Sequence, residues 1–508
     1  MTTAITTWSP QQLEIFDWFK TSIARGKHSR HLIVRARAGT GKSTTIRQGV
    51  AEAPEEDVLV AAFSKNIQLA MEAAFVDAGI KFDGDVKTLH ATGLSCVSLY
   101  RNRIRVDFKS GRADALALAA CGKDVPTDVV KLVSKLHTKA REIKPHATEF
   151  GELSTLQIAF ECIPDRRFAP RFDAAYVERK ALDAMVLAAD VQDGATIDGA
   201  DMIFLPLRNK WLVQRYDLVV VDEAQDMTVA QLEVAQGVLR EGGRICIVGD
   251  DKQAIFAFRG ADSGSLDRLK GELLAAELGL TTTYRCGKNI VDVARAYVPD
   301  FEAGPDNPDG VVRNLLPNET LYDAAAGGDF VLSRVNAPLV SIAMRLLRNG
   351  KRARVAGKDI GYGLKALLRK LNAKTIQDLV IRIGIWSERE VEIYTRAMQE
   401  AKNGRKAAFE AKIETINDQA DMLTNLCDGA RSVDEVFGRI EALFTDDGLG
   451  QAGVITCSSV HRAKGLEAER VFILRDTLRN DDQEEENICY VAITRAKREL
   501  VWVKKEQL

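Results

Sequence analysis

Residues 30–50 read Arg-His-Leu-Ile-Val-Arg-Ala-Arg-Ala-Gly-Thr-Gly-Lys-Ser-Thr-Thr-Ile-Arg-Gln-Gly-Val. An apolar run, Leu32-Ile33-Val34, leads into Ala36-Arg37-Ala38-Gly39-Thr40-Gly41-Lys42-Ser43, and a helical pattern follows over Thr44–Val50. Strand, glycine loop and helix start in that order predict a phosphate-binding loop. Gly39 and Gly41 permit a tight turn, so backbone N–H groups and the positive end of the following helix can face a phosphate. Lys42 adds a point charge at the β- and γ-phosphates, and the Ser43 hydroxyl can ligate Mg²⁺. A glycine-rich turn with a solvated lysine would look the same over the loop alone, but the strand before it and the helix after it argue for phosphate. The expected ligand is a nucleoside triphosphate cradled by Ala38, Gly39, Thr40, Gly41, Lys42, Ser43 and Thr44.

The chain has 508 residues, 46% hydrophobic and 28% charged, the composition of a globular protein with several domains or subdomains. No apolar run approaches the roughly 18 residues of a membrane span. The N-terminal Met-Thr-Thr-Ala-Ile-Thr-Thr-Trp lacks the basic-then-apolar pattern of a signal peptide. A cytoplasmic protein without a membrane partner is expected. The eight cysteines stand singly, with no Cys-x-x-Cys pair, so metal ribbons, iron–sulfur clusters and disulfide frameworks are not expected and most cysteines read as core. His28 and His31 lie close together in a basic stretch and read as surface. With a net charge of −2, any nucleic-acid partner must be held by a local groove rather than by the field of the whole protein.

Short apolar strands alternate with longer helical patterns, which predicts an α/β fold with parallel sheets. Leu32–Val34, Val58–Phe63, Leu218–Val221 and Ile245–Val248 form one set, and Phe330–Ser333, Val454–Ser458, Arg470–Leu474 and Leu500–Val503 a second. Two cores of similar size follow, each interrupted by a mostly helical insertion. The expected boundaries are 1–95 and 213–278 for the first core, 96–212 for its insertion, 279–356 and 451–508 for the second core, and 357–450 for its shorter insertion. Within the first insertion, Val129, Leu132, Val133, Leu136, Ala140 and Ile143 share one face of a helix over Asp128–Lys144. Lys131, Lys135 and Lys139 line the opposite face and read as solvated.

The second chemical site is Leu218-Val219-Val220-Val221-Asp222-Glu223-Ala224-Gln225-Asp226. Four apolar residues make a buried strand whose carboxylates emerge at its C-terminal end, where ligands bind in open α/β sheets. Asp222 is placed to hold Mg²⁺ and Glu223 to polarise an attacking water. A third strand, Ile245–Val248, ends in Gly249-Asp250-Asp251-Lys252-Gln253, and Gln253 could reach a γ-phosphate. Phe256, Phe258 and Arg259 follow, residue types on which single-stranded bases stack, although a phenylalanine pair at this spacing is more often core.

Together these residues resemble a superfamily 1A DNA helicase of the UvrD/Rep/PcrA type, and the resemblance runs nearly end to end with the motifs in order. Pro10-Gln11-Gln12 resembles the Q motif, in which Gln12 would read adenine. Ala62-Phe63-Ser64-Lys65 and Thr88-Leu89-His90 resemble DNA-contacting motifs, which implies DNA contacts from Phe63, Lys65 and His90. Thr283-Tyr284-Arg285 resembles motif IV, with Tyr284 stacking on adenine and Arg285 at the γ-phosphate. His461-Arg462-Ala463-Lys464-Gly465-Leu466-Glu467 resembles motif V, which implies a DNA contact from His461 and nucleotide contacts from Gly465 and Glu467. Tyr490-Val491-Ala492-Ile493-Thr494-Arg495-Ala496 resembles motif VI, with Arg495 as an arginine finger. The resemblance implies two RecA-like cores, ATP and Mg²⁺ as ligands, and 3′–5′ movement on single-stranded DNA with unwinding of tailed duplex DNA. It also implies single-strand-binding or recombination proteins as candidate partners.

The chain departs from the family pattern in places. Thr44 stands where an arginine usually packs on adenine, Lys65-Asn66 reverses the usual order, and Phe258 replaces a tryptophan of some relatives. The second insertion is short, and its Gly357-Lys358-Asp359-Ile360-Gly361 stretch is similar to compact F-box and phage-encoded branches. No room for a nuclease domain is expected after motif VI. A translocase that strips proteins with little unwinding, a nucleotide-switched binding module and an RNA helicase are the alternatives.

Overall fold

The computed structural model describes residues 8–21, 30–153, 174–255, 264–400, 406–444 and 453–508. It is a mixed α/β protein with two six-stranded parallel sheets flanked by helices and, among the described residues, two further two-stranded sheets. The described residues form two compact units, one within Met1–Arg37 and Gly41–Leu280, the other within Ala38–Thr40 and Thr281–Leu508. No helix among the described residues is long and apolar enough to cross a membrane.

The strands of the first unit are β1 (Leu32–Ala36), β2 (Val58–Ala62), β3 (Asp85–Thr88), β4 (Arg105–Val106), β5 (Thr196–Ile197), β6 (Tyr216–Val221), β7 (Leu239–Gly249) and β8 (Ala276–Leu280). Six of them form a sheet in the order β3-β2-β6-β7-β1-β8, and every described pairing is parallel. The central strands are continuous apolar runs because helices cover both faces of a parallel sheet; Leu218, Val219, Val220 and Val221 are fully buried. Edge strands β3 and β8 are mostly only partly buried.

Helices Leu89–Tyr100, Arg112–Cys121, Thr127–Ile143, Ala174–Ala189 and Asp201–Arg208 surround a separate apolar cluster that includes Val129, Val133, Leu136, Ala140 and Met185. Arg141, on the apolar side of its helix, is fully buried and is neutralised by Asp198 (2.8 Å) and Asp201 (2.5 Å). Lys131 and Lys135 are exposed, while Lys139 is half-buried and reaches Glu142 at 3.4 Å. His31, expected at the surface, is half-buried: its Nδ1 accepts the Ile245 N–H at 3.2 Å, and burial together with the charge of Arg30 lowers its pKa. His28 lies outside the described residues.

The second unit contains β9 (Thr282–Thr283), β10 (Glu302–Ala303), β11 (Val311–Asn314), β12 (Phe330–Ser333), β13 (Ala353–Val355), β14 (Ile455–Ser459), β15 (Ala468–Leu474) and β16 (Ala496–Val503). Its six-stranded sheet runs β11-β16-β15-β12-β14-β13, again with parallel pairings. Helices Lys358–Leu371, Ile376–Glu400, Lys406–Cys427 and Val433–Leu443 pack in part against this sheet. Leu364, Leu423, Leu426 and Ile440 join Val340, Leu346, Ile455 and Phe472 in one cluster.

Candidate functional site

In the first unit three strand ends converge. β1 ends at Ala36, and the loop turns through Gly39 and Gly41, whose φ values of 69° and 81° lie in the left-handed region that glycine adopts without a Cβ penalty. Ala38 and Thr40 are buried. The helix Lys42–Glu52 then starts from Gly41 without a side-chain cap, so its first N–H groups are oriented as an anion site. Ser43 is exposed and Thr44 half-buried.

At the end of β6, Glu223 adopts φ 54° and ψ 41°, a strained conformation for a residue with a side chain. The turn aims its carboxylate at the loop: Glu223 Oε1 lies 2.8 Å from Lys42 Nζ. Asp222 Oδ1 accepts the Glu223 N–H at 2.9 Å. Burial and the neighbouring Glu223 push Asp222 up to about 7 against the pull of Lys42. Burial works against the charge on Lys42, but Glu223, Asp222 and Asp250 outweigh it and hold its pKa above the usual value. The hydroxyl of Ser43 and the carboxyl of Asp222 are hard oxygen donors of the kind Mg²⁺ takes, usually with one or two carboxylates plus phosphate oxygens. Among the described residues no cluster of three or more His, Cys, Asp or Glu could hold a metal by itself.

At the end of β7, Gln253 is buried and its Nε2 donates to Asp250 Oδ2 at 2.6 Å. Asp250, fully buried, also receives Arg37 Nη1 at 3.0 Å, and its N–H donates to Gln225 Oε1 at 3.0 Å. Gln225 in turn donates from Nε2 to Glu223 Oε2. Sequence reasoning missed Arg37, Gln225 and Asp250 as site residues. Their types were visible beside the motifs, but only the fold shows that they touch. Phe256, Phe258 and Arg259 lie outside the described residues.

Gln12 sits at the third position of the helix Pro10–Lys20. Its Oε1 accepts the Ser9 N–H at 3.0 Å in a capping box, and its Nε2 donates to Thr45 Oγ1 at 3.0 Å, tying this helix to the one that follows the loop. Arg244 anchors the same helix from the sheet side, donating to the carbonyls of Trp18 (2.6 Å) and Phe19 (2.7 Å) and pairing with Glu55. Of the candidate DNA residues here, Lys65 is exposed in the first turn of the Lys65–Asp77 helix and Phe63 is half-buried against the core. His90 is half-buried, and burial lowers its pKa.

The second unit gathers its own charged group. Tyr284 is half-exposed, and Arg285 Nε meets Glu467 Oε2 at 2.6 Å. Glu467 also meets Lys497 Nζ at 2.7 Å. Although burial opposes it, Arg285 and Lys497 hold Glu467 below the usual carboxylate range. Gly465, with φ 85°, makes the turn that leads into Glu467. Arg495 is 1% exposed and, among the described residues, donates to neutral oxygens: Val491 O (2.9 Å), Leu466 O (3.1 Å) and Thr494 Oγ1 (3.1 Å). Burial and the like charge of Arg285 pull its pKa down to about 10. His461 is half-buried in the short helix Val460–Ala463. The helix Gln483–Ile493, which leads to Arg495, is capped by Asp482, whose side chain accepts the Glu485 N–H at 2.9 Å.

Comparison with known proteins gives two family matches. The UvrD/REP helicase N-terminal domain matches residues 20–273, and the UvrD-like helicase C-terminal domain matches residues 454–503. The F-box DNA helicase protein 1 of Schizosaccharomyces pombe is 23% identical over 92% of this chain and 55% of its own length. The ATP-dependent DNA helicase UvrD1 of Mycobacterium leprae is 22% identical over 70% of this chain and 47% of its own. The ATP-dependent DNA helicase PcrA of Leuconostoc citreum is 23% identical over 53% of this chain and 37% of its own. The chain thus spans about half the length, or less, of these relatives.

Proposed function

The chain belongs to the UvrD/REP helicase family, and from that membership we propose an ATP-driven translocase that moves 3′ to 5′ on single-stranded DNA and unwinds tailed duplex. The observation that carries the reading is the Lys42–Glu223–Asp222 cluster, where a lysine on a phosphate-type loop faces two carboxylates at a strand end. Nucleotide phosphates compete with Glu223 for Lys42, because both present anionic oxygens to the same ammonium. That competition releases Glu223 to orient and polarise water. Ser43 and Asp222 would hold Mg²⁺, which supplies charge neutralisation at the β- and γ-phosphates. Asp222 suits that role because its carboxyl is buried and incompletely compensated.

Ala38–Thr44 cradle the phosphates in this proposal, and Gln253 reads the γ-phosphate. Gln12 and Tyr284 contact the base, and Gly465 and Glu467 the remainder of the nucleotide. Arg285 and Arg495 stabilise charge on the transferring phosphoryl group. Phe63, Lys65, His90, His461 and the Phe256-Phe258-Arg259 segment contact DNA. The proposed organisation is two RecA-like cores, 1–95 with 213–278 and 279–356 with 451–508, carrying insertions 96–212 and 357–450.

The test is strand separation on matched duplexes with either a 3′ or a 5′ single-stranded tail, with ATP and Mg²⁺. The proposal expects unwinding from the 3′ tail alone. Unwinding from the 5′ tail would reverse the polarity. ATP hydrolysis without unwinding on either tail would favour a translocase that removes proteins, and greater stimulation by RNA than by DNA would change the substrate class.

A further inference from the structure

Five side chains, Lys42, Glu223, Gln225, Asp250 and Arg37, connect the loop, the β6 end and the β7 end of the first unit. Lys42 meets Glu223, Gln225 bridges Glu223 to the Asp250 N–H, and Arg37 meets the Asp250 carboxylate. Arg37 is five residues before Lys42 on the same loop, so the backbone closes these contacts into a ring. Asp250 stands at its centre: Oδ1 takes Arg37 and Oδ2 takes Gln253. Arg37 Nη1 also reaches Asp251 Oδ1 at 2.8 Å, in the same short turn as Gln253.

We propose that Arg37 is a positioning residue that sets the side-chain amide of Gln253 by keeping Asp250 ionised. The inference rests on the γ-phosphate-reading role proposed for Gln253. An ionised carboxylate only accepts hydrogen bonds, so it dictates that Gln253 presents Nε2 to it and fixes which way the amide faces. A protonated Asp250 could donate instead and would accept either amide orientation. Asp250 is fully buried, and a carboxylate in that setting stays charged only with a cation or several donors beside it. Burial pushes its pKa up, and Arg37 leads the groups that oppose this. Arg37 thereby gives the phosphate loop a mechanical and electrostatic hold on the Gln253 turn.

The test compares dissociation constants for ADP and for a non-hydrolysable ATP analogue in the wild type, Arg37→Ala, Arg37→Lys, Gln253→Ala and the Arg37→Ala/Gln253→Ala double variant. A ring that positions Gln253 predicts a wild-type preference for the analogue that falls about tenfold in Arg37→Ala, with ADP affinity held within about twofold. Arg37→Lys should regain part of it, and the double variant should lose no more than Gln253→Ala alone. The proposal is overturned if Arg37→Ala keeps the preference, weakens both nucleotides equally, or multiplies the loss in the double variant. If Arg37→Ala does not fold, Arg37→Lys decides, and an unchanged amide-dependent preference with a lowered melting temperature there makes Arg37 structural only. A wild type without the preference refutes the Gln253 role and this proposal together. One with the preference but without DNA-stimulated hydrolysis refutes only the motor.

Discussion

The two units share a six-stranded parallel sheet with helices on its faces, yet they place their key cations in opposite surroundings. In the first, Lys42 faces the Glu223 carboxylate at 2.8 Å. In the second, Arg495 is buried among carbonyl and hydroxyl oxygens, and its pKa is drawn down to about 10. A cation already paired must exchange one anion for another when phosphate arrives, so its affinity reflects a difference between two partners. A buried guanidinium held by neutral groups carries an uncompensated desolvation cost, which an approaching anion relieves. The first arrangement suits binding and the second suits stabilising charge that develops late.

The proposed insertions differ in the same spirit. The first has its own apolar cluster, whereas the second shares one with its sheet. Motion of the first insertion as a body would keep that cluster intact but break the contacts of Ile203 and Leu207 with the sheet core. Motion of the second would expose Leu423, Leu426 and Ile440 along with their sheet-side neighbours.

The largest effect that could break this contrast is in turnover. Lys42→Ala should lower ATP hydrolysis by about a thousandfold or more and weaken nucleotide binding, whereas Glu223→Gln should bind ATP and hydrolyse it at least about a hundredfold more slowly. Arg495→Ala should lower turnover by about a thousandfold with nucleotide affinity little changed. Parallel losses of affinity in Lys42→Ala and Arg495→Ala would erase the distinction between the two cations. Next comes packing. Leu423→Ala should destabilise the second unit, sheet included, by about 2–5 kcal/mol, measured by chemical unfolding. Leu136→Ala should cost a similar amount within the first insertion while nucleotide affinity at the loop stays within about twofold. If Leu136→Ala also abolishes nucleotide binding, the first insertion is not an independent body.

The smallest and most gradual effect is pH dependence. His137 is fully buried, its Nε2 lies 2.9 Å from the Ala113 carbonyl, and burial together with Arg141 pushes its pKa down to about 4 from 6.5. Because the folded value lies below the unfolded one, the unfolded chain takes up the proton first as pH falls. Stability contributed by the neutral histidine is present above pH 6.5 and is lost progressively down to about 4, by up to about 3 kcal/mol. His31 and His90, also with lowered values, add to the same trend in the first unit. Over the same window Asp222, whose folded pKa is raised, takes up its proton first in the folded state and works the other way. The histidine contribution is therefore read as the difference between the wild type and His137→Gln. Unfolding followed from pH 7 to 4.5 should show the wild type losing more stability, or gaining less, than the variant. Parallel pH profiles for the two proteins would contradict the assignment.

The parts of this fold that could be read in the sequence are those whose physics is local. The run Leu32–Val34 before two glycines and a lysine, and the run Leu218–Val221 before two acids, each specify a buried strand ending at a polar turn. The period of Val129, Val133, Leu136 and Ala140 specifies a helix, and the structure has one over Thr127–Ile143. Edge strands such as β3, Asp-Val-Lys-Thr, and β11, Val-Val-Arg-Asn, escaped because they are short and half-exposed and so lack an apolar signature. The Arg37–Asp250–Gln225–Glu223 connections and the Arg244 anchor escaped for a different reason. Each joins residues far apart in the chain, and a single arginine or glutamine carries no sign of its partner. His31 was misjudged because its basic neighbours suggested solvent, whereas its ring caps the Ile245 N–H of a central strand.

The most direct measurement is the rate of ATP hydrolysis with and without single-stranded DNA, for the wild type and Lys42→Ala side by side. The account predicts strong stimulation by DNA in the wild type and no hydrolysis above background in the variant. A wild-type rate indifferent to DNA, or a Lys42→Ala variant that still turns over ATP, would contradict it.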